Sequence, residues 1–273
     1  MKYKLLAVDM DGTLVNSSHI ITENTKDTLR RAAEKGVTVI ISTGRLYCTP
    51  AEYIKELGIS APVICCNGAY IYDSSKDNIM FRNQIKAEDC ETIIHICRSN
   101  NIYYYFYSDE EIIGERNFAE ACYHSELTGA LPTEESSRIV LVDDCISMVR
   151  NNGKNVYKFV LWAGDEAAAS AVVRRAAGLC PVSFYKSSRD LIEIVRDGVC
   201  KGKSLEMLAG LMNIKKEEVI AIGDGENDVS MLRFAGMGVA MGNACDSAKA
   251  AADYITKGCD EDGAAYAINK FIL

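Results

Sequence analysis

The stretch LLAVDMDGTL, residues 5–14, sets two aspartates, Asp9 and Asp11, at the end of a run of aliphatic residues. Residues Leu5–Val8 predict a short buried strand, and Gly12 predicts a turn directly after the second aspartate. Carboxylates at the edge of a hydrophobic core are costly unless they are paired or bound to a metal. At positions i and i+2 of an extended chain, both carboxylates project to the same side. The stretch alone fits either a metal or phosphoryl site or a polar strand end followed by an Asp-Gly turn.

Length and composition describe an ordinary globular protein. The chain has 273 residues, which favours two domains, or one domain with an insertion, over a single core. Hydrophobic residues make up 48% and charged residues 25%, which is usual for a soluble globular chain. The net charge of −8 argues against a general nucleic-acid binder, which usually shows a basic face. Local positive charge could still bind a phosphorylated substrate.

The apolar and cysteine patterns bear on location. No apolar run approaches the length of a membrane span, and the apolar start is cut at Asp9, too early for a secretory signal. Eleven cysteines without a C-x-x-C pair predict reduced thiols in a cytoplasm rather than a disulfide framework. Cys122 and His124 are candidate metal ligands, but two candidates without nearby partners favour a structural role. We expect neither a membrane nor a nucleic-acid partner.

Strand and helix patterns alternate at both ends of the chain. The predicted helices span 22–35, 51–57, 202–212, 228–235 and 244–252, and the predicted strands span 5–8, 37–43, 62–69, 192–195 and 219–223. Strands that alternate with helices predict a largely parallel sheet covered on both faces.

The middle of the chain has a different pattern, with longer polar helices, the half-exposed strand 102–109 and the strand 156–163. It predicts a second α/β unit inserted into the first. We assign residues 1–82 and 189–273 to a Rossmann-like parallel-sheet core and residues 83–188 to the inserted unit.

Tyrosines dominate the predicted strand at 102–109. Tyr103, Tyr105 and Tyr107 share one face of this strand, whereas Tyr104 and Phe106 share the other. An aromatic ligand platform is one interpretation, and ordinary sheet packing is the favoured one.

Four polar clusters fall where a predicted strand ends or a predicted helix begins. They are DMDGTL (9–14), STGR (42–45), KG (201–202) and GDGEND (223–228). In parallel α/β sheets, ligands collect at the carboxyl ends of the strands. Each cluster alone has a plain structural interpretation, such as a helix cap or a turn. The four together, in this order, indicate one functional site.

The order and the residues of these clusters resemble the motifs of the haloacid dehalogenase-like superfamily of phosphohydrolases. NGA at 67–69, DGVCKG at 197–202 and the large insertion resemble its Cof-type subfamily, whose α/β cap is of the C2B type. The resemblance covers the core at both ends of the chain. It implies the HAD-like fold, with residues 83–188 as the cap, and a Mg²⁺-dependent phosphatase that acts on small phosphorylated metabolites through an aspartyl-phosphate.

The resemblance also implies residue roles in phosphoryl transfer. Asp9 matches the nucleophile, and Asp11 matches the general acid/base that protonates the leaving oxygen and then activates water. Thr43 and the Gly44 backbone N–H would hold the transferring phosphoryl oxygens. Lys201 would neutralise the nucleophile and the phosphate, which otherwise repel one another.

A metal site follows from the same resemblance. Asp224 would ligate Mg²⁺ together with the Asp9 carboxylate and the Asp11 backbone carbonyl. Asp228 would support the metal shell or the site lysine, and Asn227 would contact phosphate. Oxygen ligands of this kind suit Mg²⁺.

Arg45 and Asn67 stand where the family often places residues near the substrate. Each could contact the substrate or orient a loop. We expect residues 83–188 to discriminate between substrates by forming a lid over the strand ends, because the core motifs recognise only phosphoryl and metal.

Two alternatives to a phosphatase remain. A phosphomutase of the same superfamily would use the same core but return the phosphoryl group to the product. A signalling receiver domain also surrounds a phosphorylated aspartate with acids, a lysine and Mg²⁺, but it is shorter and lacks the insertion. Sugar phosphates, phosphorylated cofactors such as pyridoxal phosphate or flavin mononucleotide, and polyol phosphates all fit as substrates, and the oligomeric state is not readable from the sequence.

Overall fold

The computed structural model describes residues 2–58, 61–109, 111–116, 138–151, 153–162, 166–186 and 191–273. Cys122 and His124, the candidate ligands of the sequence analysis, lie outside the described residues. No helix in the described ranges has both the length and the apolar character that crossing a membrane requires.

The chain divides into two compact units. The first comprises Met1–Arg45, Pro50–Phe81 and Cys200–Leu273, and the second comprises Leu46–Thr49 and Arg82–Val199. The first unit is therefore built from both ends of the chain.

Strands and helices alternate along much of the chain. In chain order the strands are β1 (Leu5–Val8), β2 (Thr38–Ile41), β3 (Pro62–Cys65), β4 (Tyr70–Asp73), β5 (Asn78–Arg82), β6 (Tyr104–Tyr107), β7 (Glu111–Glu115), β8 (Arg138–Val142), β9 (Lys158–Trp162), β10 (Val182–Lys186), β11 (Leu191–Arg196), β12 (Val219–Gly223), β13 (Met237–Ala240) and β14 (Tyr254–Ile255). The helices are α1 (Glu23–Glu34), α2 (Cys48–Leu57), α3 (Ala87–Ser99), α4 (Cys145–Asn151), α5 (Glu166–Leu179), α6 (Lys201–Leu211), α7 (Val229–Phe234), α8 (Asp246–Ala251) and α9 (Gly263–Phe271).

The first unit is organised around a parallel sheet in the order β14-β13-β12-β1-β2. Strand β1 lies between the other two strands that lead to the site: Leu5 pairs with Val219 on one side and with Thr38 on the other. Every residue of β1 and β12 is buried. Because successive side chains point to opposite faces of a strand, this burial covers both faces of the sheet, as predicted. A separate sheet contains β3, β4 and β5.

Helix α1 illustrates how local sequence sets an element. The Thr22 side chain accepts a hydrogen bond from the Thr25 N–H and caps the first turn. Lys35 closes the last turn, and Gly36 follows at φ +86°, the left-handed conformation that glycine adopts without strain. The predicted helix is confirmed.

The second unit contains a six-stranded sheet in the order β10-β11-β9-β6-β7-β8. Tyr104 and Phe106 lie in its hydrophobic core together with residues of α3, α4 and α5. Tyr105 and Tyr107 lie on the other face of the sheet, where their rings stack with centroids 6.0 Å apart. The predicted division of the aromatic residues between the two faces is confirmed.

Strand β11 moves the boundary between the units. The sequence pattern predicts residues 189–273 in the first unit. In the structure, β11 pairs antiparallel with β10 and β9, so that it completes the sheet of the second unit. Only a few residues separate β10 from β11, and such a short connection favours an antiparallel hairpin over a crossover to a parallel sheet. The chain therefore returns to the first unit only at Cys200.

Candidate active site

The carboxyl ends of β1 and β2 bring the first two polar clusters together. The Asp9 N–H donates to the carbonyl of Ile222 at 2.9 Å and extends the ladder by one residue beyond β1. On the other side, the Ser42 N–H donates to Val8 at 2.9 Å. Asp9 is therefore anchored by its backbone to β12, directly after a residue that is bonded to the β2 side, and its side chain is buried.

Lys201 begins α6 and is fully buried. Its Nζ donates to Asp9 Oδ1 at 2.5 Å and to Asp228 Oδ1 at 2.6 Å. Burial alone would lower the pKa of this ammonium, but the charges of Asp228 and Asp9 outweigh it and raise the pKa above its usual value. Lys201 is therefore a cation at neutral pH.

Asp228 connects the lysine to the loop after β12. Its Oδ2 accepts hydrogen bonds from the backbone N–H groups of Asp224 and Gly225, at 2.9 and 2.8 Å. A Cβ atom at Gly223 would lie 2.6 Å from the Asp228 Cβ, so that only glycine fits there. Asp228 thus orients both Lys201 and the loop that carries Asp224.

Asp224 is half-buried and its Oδ1 accepts a hydrogen bond from Thr13 Oγ1 at 3.0 Å. Burial, with the charge of Asp228, raises the pKa of this carboxyl to about 6. Gly12 approaches it closely: φ is +76°, and a Cβ there would lie 2.5 Å from Asp224 Oδ2. The turn predicted after Asp11 is thus the place where the chain passes beside Asp224 of the GDGEND cluster.

Three carboxylates converge at the site. Asp9, Asp224 and Asp228 each offer an oxygen, and these oxygens lie within 4.8 Å of one another. Burial, followed by the charge of Asp228, raises the pKa of Asp9 well above its ordinary value, although Lys201 acts in the opposite direction. Among the described residues, the only salt bridges of these three acids are those of Asp9 and Asp228 to Lys201, so that the acids outnumber their cation. This all-oxygen donor set fits a hard divalent cation such as Mg²⁺.

The side chain of Asp11 is not part of this group of three carboxylates and instead pairs with Arg45. Arg45 Nε donates to Asp11 Oδ2 at 2.8 Å, and Arg45 Nη2 donates to Asp11 Oδ1. The carboxylate is half exposed and the guanidinium is 30% exposed. Both residues are predicted at the site from the sequence, but the pair between them is not.

Thr43 and Asn67 belong to two backbone segments that are joined at the site. Thr43 is buried, its N–H donates to Ile64 at 2.8 Å, and its carbonyl accepts from the Asn67 N–H at 3.1 Å. Gly44 follows it, half-buried. Asn67 is fully buried at φ +59°, and its Oδ1 accepts a hydrogen bond from Asn227 Nδ2 at 2.9 Å. Of the two interpretations of Asn67, this contact supports an orienting role toward Asn227.

Two supporting residues were not identified from the sequence. Thr13 donates to Asp224, as described above, and its only signal was its place inside the DMDGTL cluster. Asn243 Nδ2 donates to the Gly12 carbonyl at 2.9 Å, while its Oδ1 accepts from the Cys259 N–H at 2.8 Å. No local pattern marked Asn243, because its partners are distant in the chain.

Comparisons with known proteins agree with this geometry. The haloacid dehalogenase-like hydrolase family matches residues 6–268. The chain is 29% identical to the 5-amino-6-(5-phospho-D-ribitylamino)uracil phosphatase YwtE of Bacillus subtilis (strain 168), over 98% of both chains. It is 29% identical to the pyridoxal phosphate phosphatase YbhA of Escherichia coli (strain K12), over 93% of both. The structure of the HAD subclass IIB sugar phosphatase BT4131 superposes with a TM-score of 0.80 at 27% identity, over 98% of each chain. The predicted fold class is confirmed.

Proposed function

Because the chain belongs to the haloacid dehalogenase-like hydrolase family, we propose that Asp9 is the nucleophile of a Mg²⁺-dependent phosphatase that hydrolyses small phosphomonoesters through an aspartyl-phosphate. The family resemblance predicted from the motifs is confirmed by the match over residues 6–268. The enzyme is a phosphoric monoester hydrolase. The observation that supports Asp9 as nucleophile is its buried carboxylate, 2.5 Å from the Lys201 ammonium and close to two further acids.

The reaction proceeds in two displacements at phosphorus. In the first, a carboxylate oxygen of Asp9 attacks the phosphorus atom and the bond to the leaving oxygen breaks. Asp11, protonated, gives its proton to that oxygen, and the alcohol departs. In the second, Asp11 takes a proton from water as the water oxygen attacks the phosphorus. The bond between phosphorus and the Asp9 oxygen breaks, which regenerates the Asp9 carboxylate and releases inorganic phosphate.

Charge neutralisation and positioning supply most of the catalysis in such a transfer. Lys201 offsets the repulsion between the Asp9 carboxylate and the anionic phosphate. Thr43 and the Gly44 N–H hold phosphoryl oxygens, and Asn227, oriented by Asn67, contacts the phosphate.

A bound Mg²⁺ would complete the charge balance. Asp9, Asp224 and the Asp11 backbone carbonyl would hold the ion, and Asp228 supports them through the Asp224 loop. When bound, the ion supplies positive charge that lets an anionic phosphate approach the acid cluster.

A phosphorylated cofactor or a sugar phosphate is the substrate class that we propose. YwtE, YbhA and BT4131 bear names that specify a phosphoribitylaminouracil, pyridoxal phosphate and a sugar phosphate, respectively. All three are phosphomonoesters of small metabolites, and the core residues recognise only their shared phosphate. We assign discrimination between them to the inserted unit, and we place the enzyme in the cytoplasm, which fits the free cysteines of the described residues.

The proposal is tested by turnover and trapping. Purified protein with Mg²⁺ is assayed for phosphate release from a panel of phosphomonoesters. The same assay is run on Asp9→Asn and on the control Asp27→Asn, an exposed aspartate of α1. We expect Asp9→Asn to lose about ten-thousandfold or more in kcat and the control to retain activity. A single-turnover reaction quenched in acid should trap phosphate on the wild type and none on Asp9→Asn.

Other outcomes would identify the alternatives. Wild-type turnover by Asp9→Asn would assign the nucleophile to another residue. Isomer formation that depends on an added bisphosphate would indicate a phosphomutase. A long-lived phospho-aspartate without turnover would indicate a signalling protein.

A further inference from the structure

Arg45 holds both oxygens of the Asp11 carboxylate. Nε reaches Oδ2 at 2.8 Å, and Nη2 reaches Oδ1. Within the part of the chain that the structure describes, Arg45 is the only hydrogen-bond donor to this carboxylate. A two-point contact between the planar guanidinium and a carboxylate fixes the orientation of the carboxylate as well as its position.

The backbone of Arg45 is itself anchored to Thr43 and to Cys66, the residue before Asn67. Its N–H donates to Thr43 Oγ1 at 3.1 Å, and its carbonyl accepts from the Cys66 N–H at 3.0 Å. The guanidinium therefore extends from a fixed base toward Asp11.

Although its backbone forms a β-bridge with Val15, Asp11 has no other side-chain hydrogen bond among the described residues. It follows β1 in a turn, and its side chain is half exposed. An aspartate in this environment would exchange between rotamers, and only some of these would direct an oxygen toward a leaving group. The Arg45 fork removes this freedom.

We propose that Arg45 is the positioning residue of the general acid/base, an inference that rests on the proposed phosphatase function. Nε keeps its contact with Oδ2, whereas Oδ1 exchanges its Nη2 contact for the leaving oxygen. When the phosphorus–oxygen bond breaks, the proton carried on Oδ1 passes to the leaving oxygen, and the carboxylate that remains returns to the fork. Arg45 thus acts through Asp11 rather than by binding substrate.

The two roles of Arg45 predict different kinetics. A substrate contact contributes equally whatever the leaving group, and its loss raises KM. A residue that positions the acid contributes only when the leaving oxygen needs a proton from that acid. Its loss therefore slows substrates with poor leaving groups most and changes kcat more than KM.

The test compares Arg45→Met, Asp11→Asn and the double variant with the wild type on a series of substituted phenyl phosphates and one alkyl phosphate. We expect Arg45→Met to lower kcat for the alkyl ester about tenfold or more and for 4-nitrophenyl phosphate about threefold or less. In the Asp11→Asn background, the same substitution should change the alkyl rate by less than about twofold. Arg45→Lys keeps the charge but not the fork, and it should resemble Arg45→Met.

Three results would overturn the inference. One is an equal loss for all leaving groups with a raised KM. Another is a loss of the same size in the Asp11→Asn background. The third is full rescue by Arg45→Lys. In each case the Asp9 chemistry would stand, whereas a wild type that releases no phosphate from any ester would overturn the proposed function itself.

Discussion

The Lys201 ammonium lies 2.6 Å from Oδ1 of Asp228, and both side chains are closed off from solvent. Removal of one partner of a buried ion pair leaves the other charge uncompensated, at a cost of about 3–5 kcal/mol. Lys201→Met should therefore reduce the free energy of unfolding by about this amount and lower kcat/KM by about a hundredfold or more. Urea unfolding and steady-state kinetics measure both. Lys203→Met, exposed on the same helix, is the control, and a variant of Lys201 with wild-type activity would contradict its role.

Gly12→Ala should misplace Asp224. The new Cβ would lie 2.5 Å from Asp224 Oδ2, and the residue must also adopt φ +76°. Gly36→Ala provides the matched control, because it has a similar φ of +86° but meets nothing within 4 Å. Both variants should lose stability from backbone strain, about 1 kcal/mol. Only Gly12→Ala should lose activity, about a hundredfold, and equal activity of the two variants would contradict the importance of this contact.

Magnesium should stabilise the protein as well as activate it. Because an ion bound to the acid cluster relieves repulsion in the folded state alone, saturating Mg²⁺ should add about 2–4 kcal/mol to the free energy of unfolding. A chelator should abolish turnover and reverse this gain. Asp224→Asn should show a much smaller response to Mg²⁺ in thermal unfolding, whereas Glu206→Gln, exposed on α6, should respond like the wild type. Full activity after exhaustive chelation would exclude the metal.

The second unit should lose stability in acid through Asp144. Hydrogen bonds from Ser147 and Arg98 hold the pKa of Asp144 well below its usual value. A carboxyl whose pKa is lowered by folding stabilises the protein above its unfolded pKa of about 3.9, and this contribution is lost as the pH falls below that value. Asp144→Asn should therefore be less stable than the wild type at pH 7, and the difference should shrink below about pH 4.

Trp162, the only tryptophan in the chain, lies in β9 of the same unit and reports its unfolding by fluorescence. The control is Asp143→Asn, whose ion pair with Arg116 is exposed. A difference between Asp144→Asn and the wild type that stays constant from pH 7 to pH 3.5 would rule out this account.

Exchange of residues 82–199 for the matching span of a related enzyme should transfer substrate preference. The proposed catalytic carboxylates and Lys201 lie outside this span, so Mg²⁺ dependence should stay unchanged. The ratio of kcat/KM for two phosphomonoesters measures the transfer. A folded chimera that keeps the original preference would assign discrimination to the first unit.

Local patterns predicted the elements well and the long-range contacts poorly. Strand 219–223 and the Thr22 cap depend on neighbouring residues, and both appear where they were predicted. By contrast, the Asp11–Arg45 pair and the Asn67–Asn227 bond join residues that are 34 and 160 positions apart. Which donor meets which acceptor depends on strand register and loop geometry, which a single sequence does not specify. Strand β11 shows the same limit, because a strand pattern does not identify the sheet that the strand joins.

The pairing of β1 with β12 also has a consequence for biosynthesis. Thr13 and Asp224, which meet at the site, are 211 positions apart, so that the ribosome adds the second roughly 10 to 40 s after the first, at about 5–20 residues per second. For most of that interval β1 lacks β12, Lys201 and the acids of the loop after β12. The continuous span 82–199, which forms most of the second unit, is synthesised in the meantime. A nascent chain therefore carries the proposed nucleophile for most of translation but gains the complete candidate site only near the end.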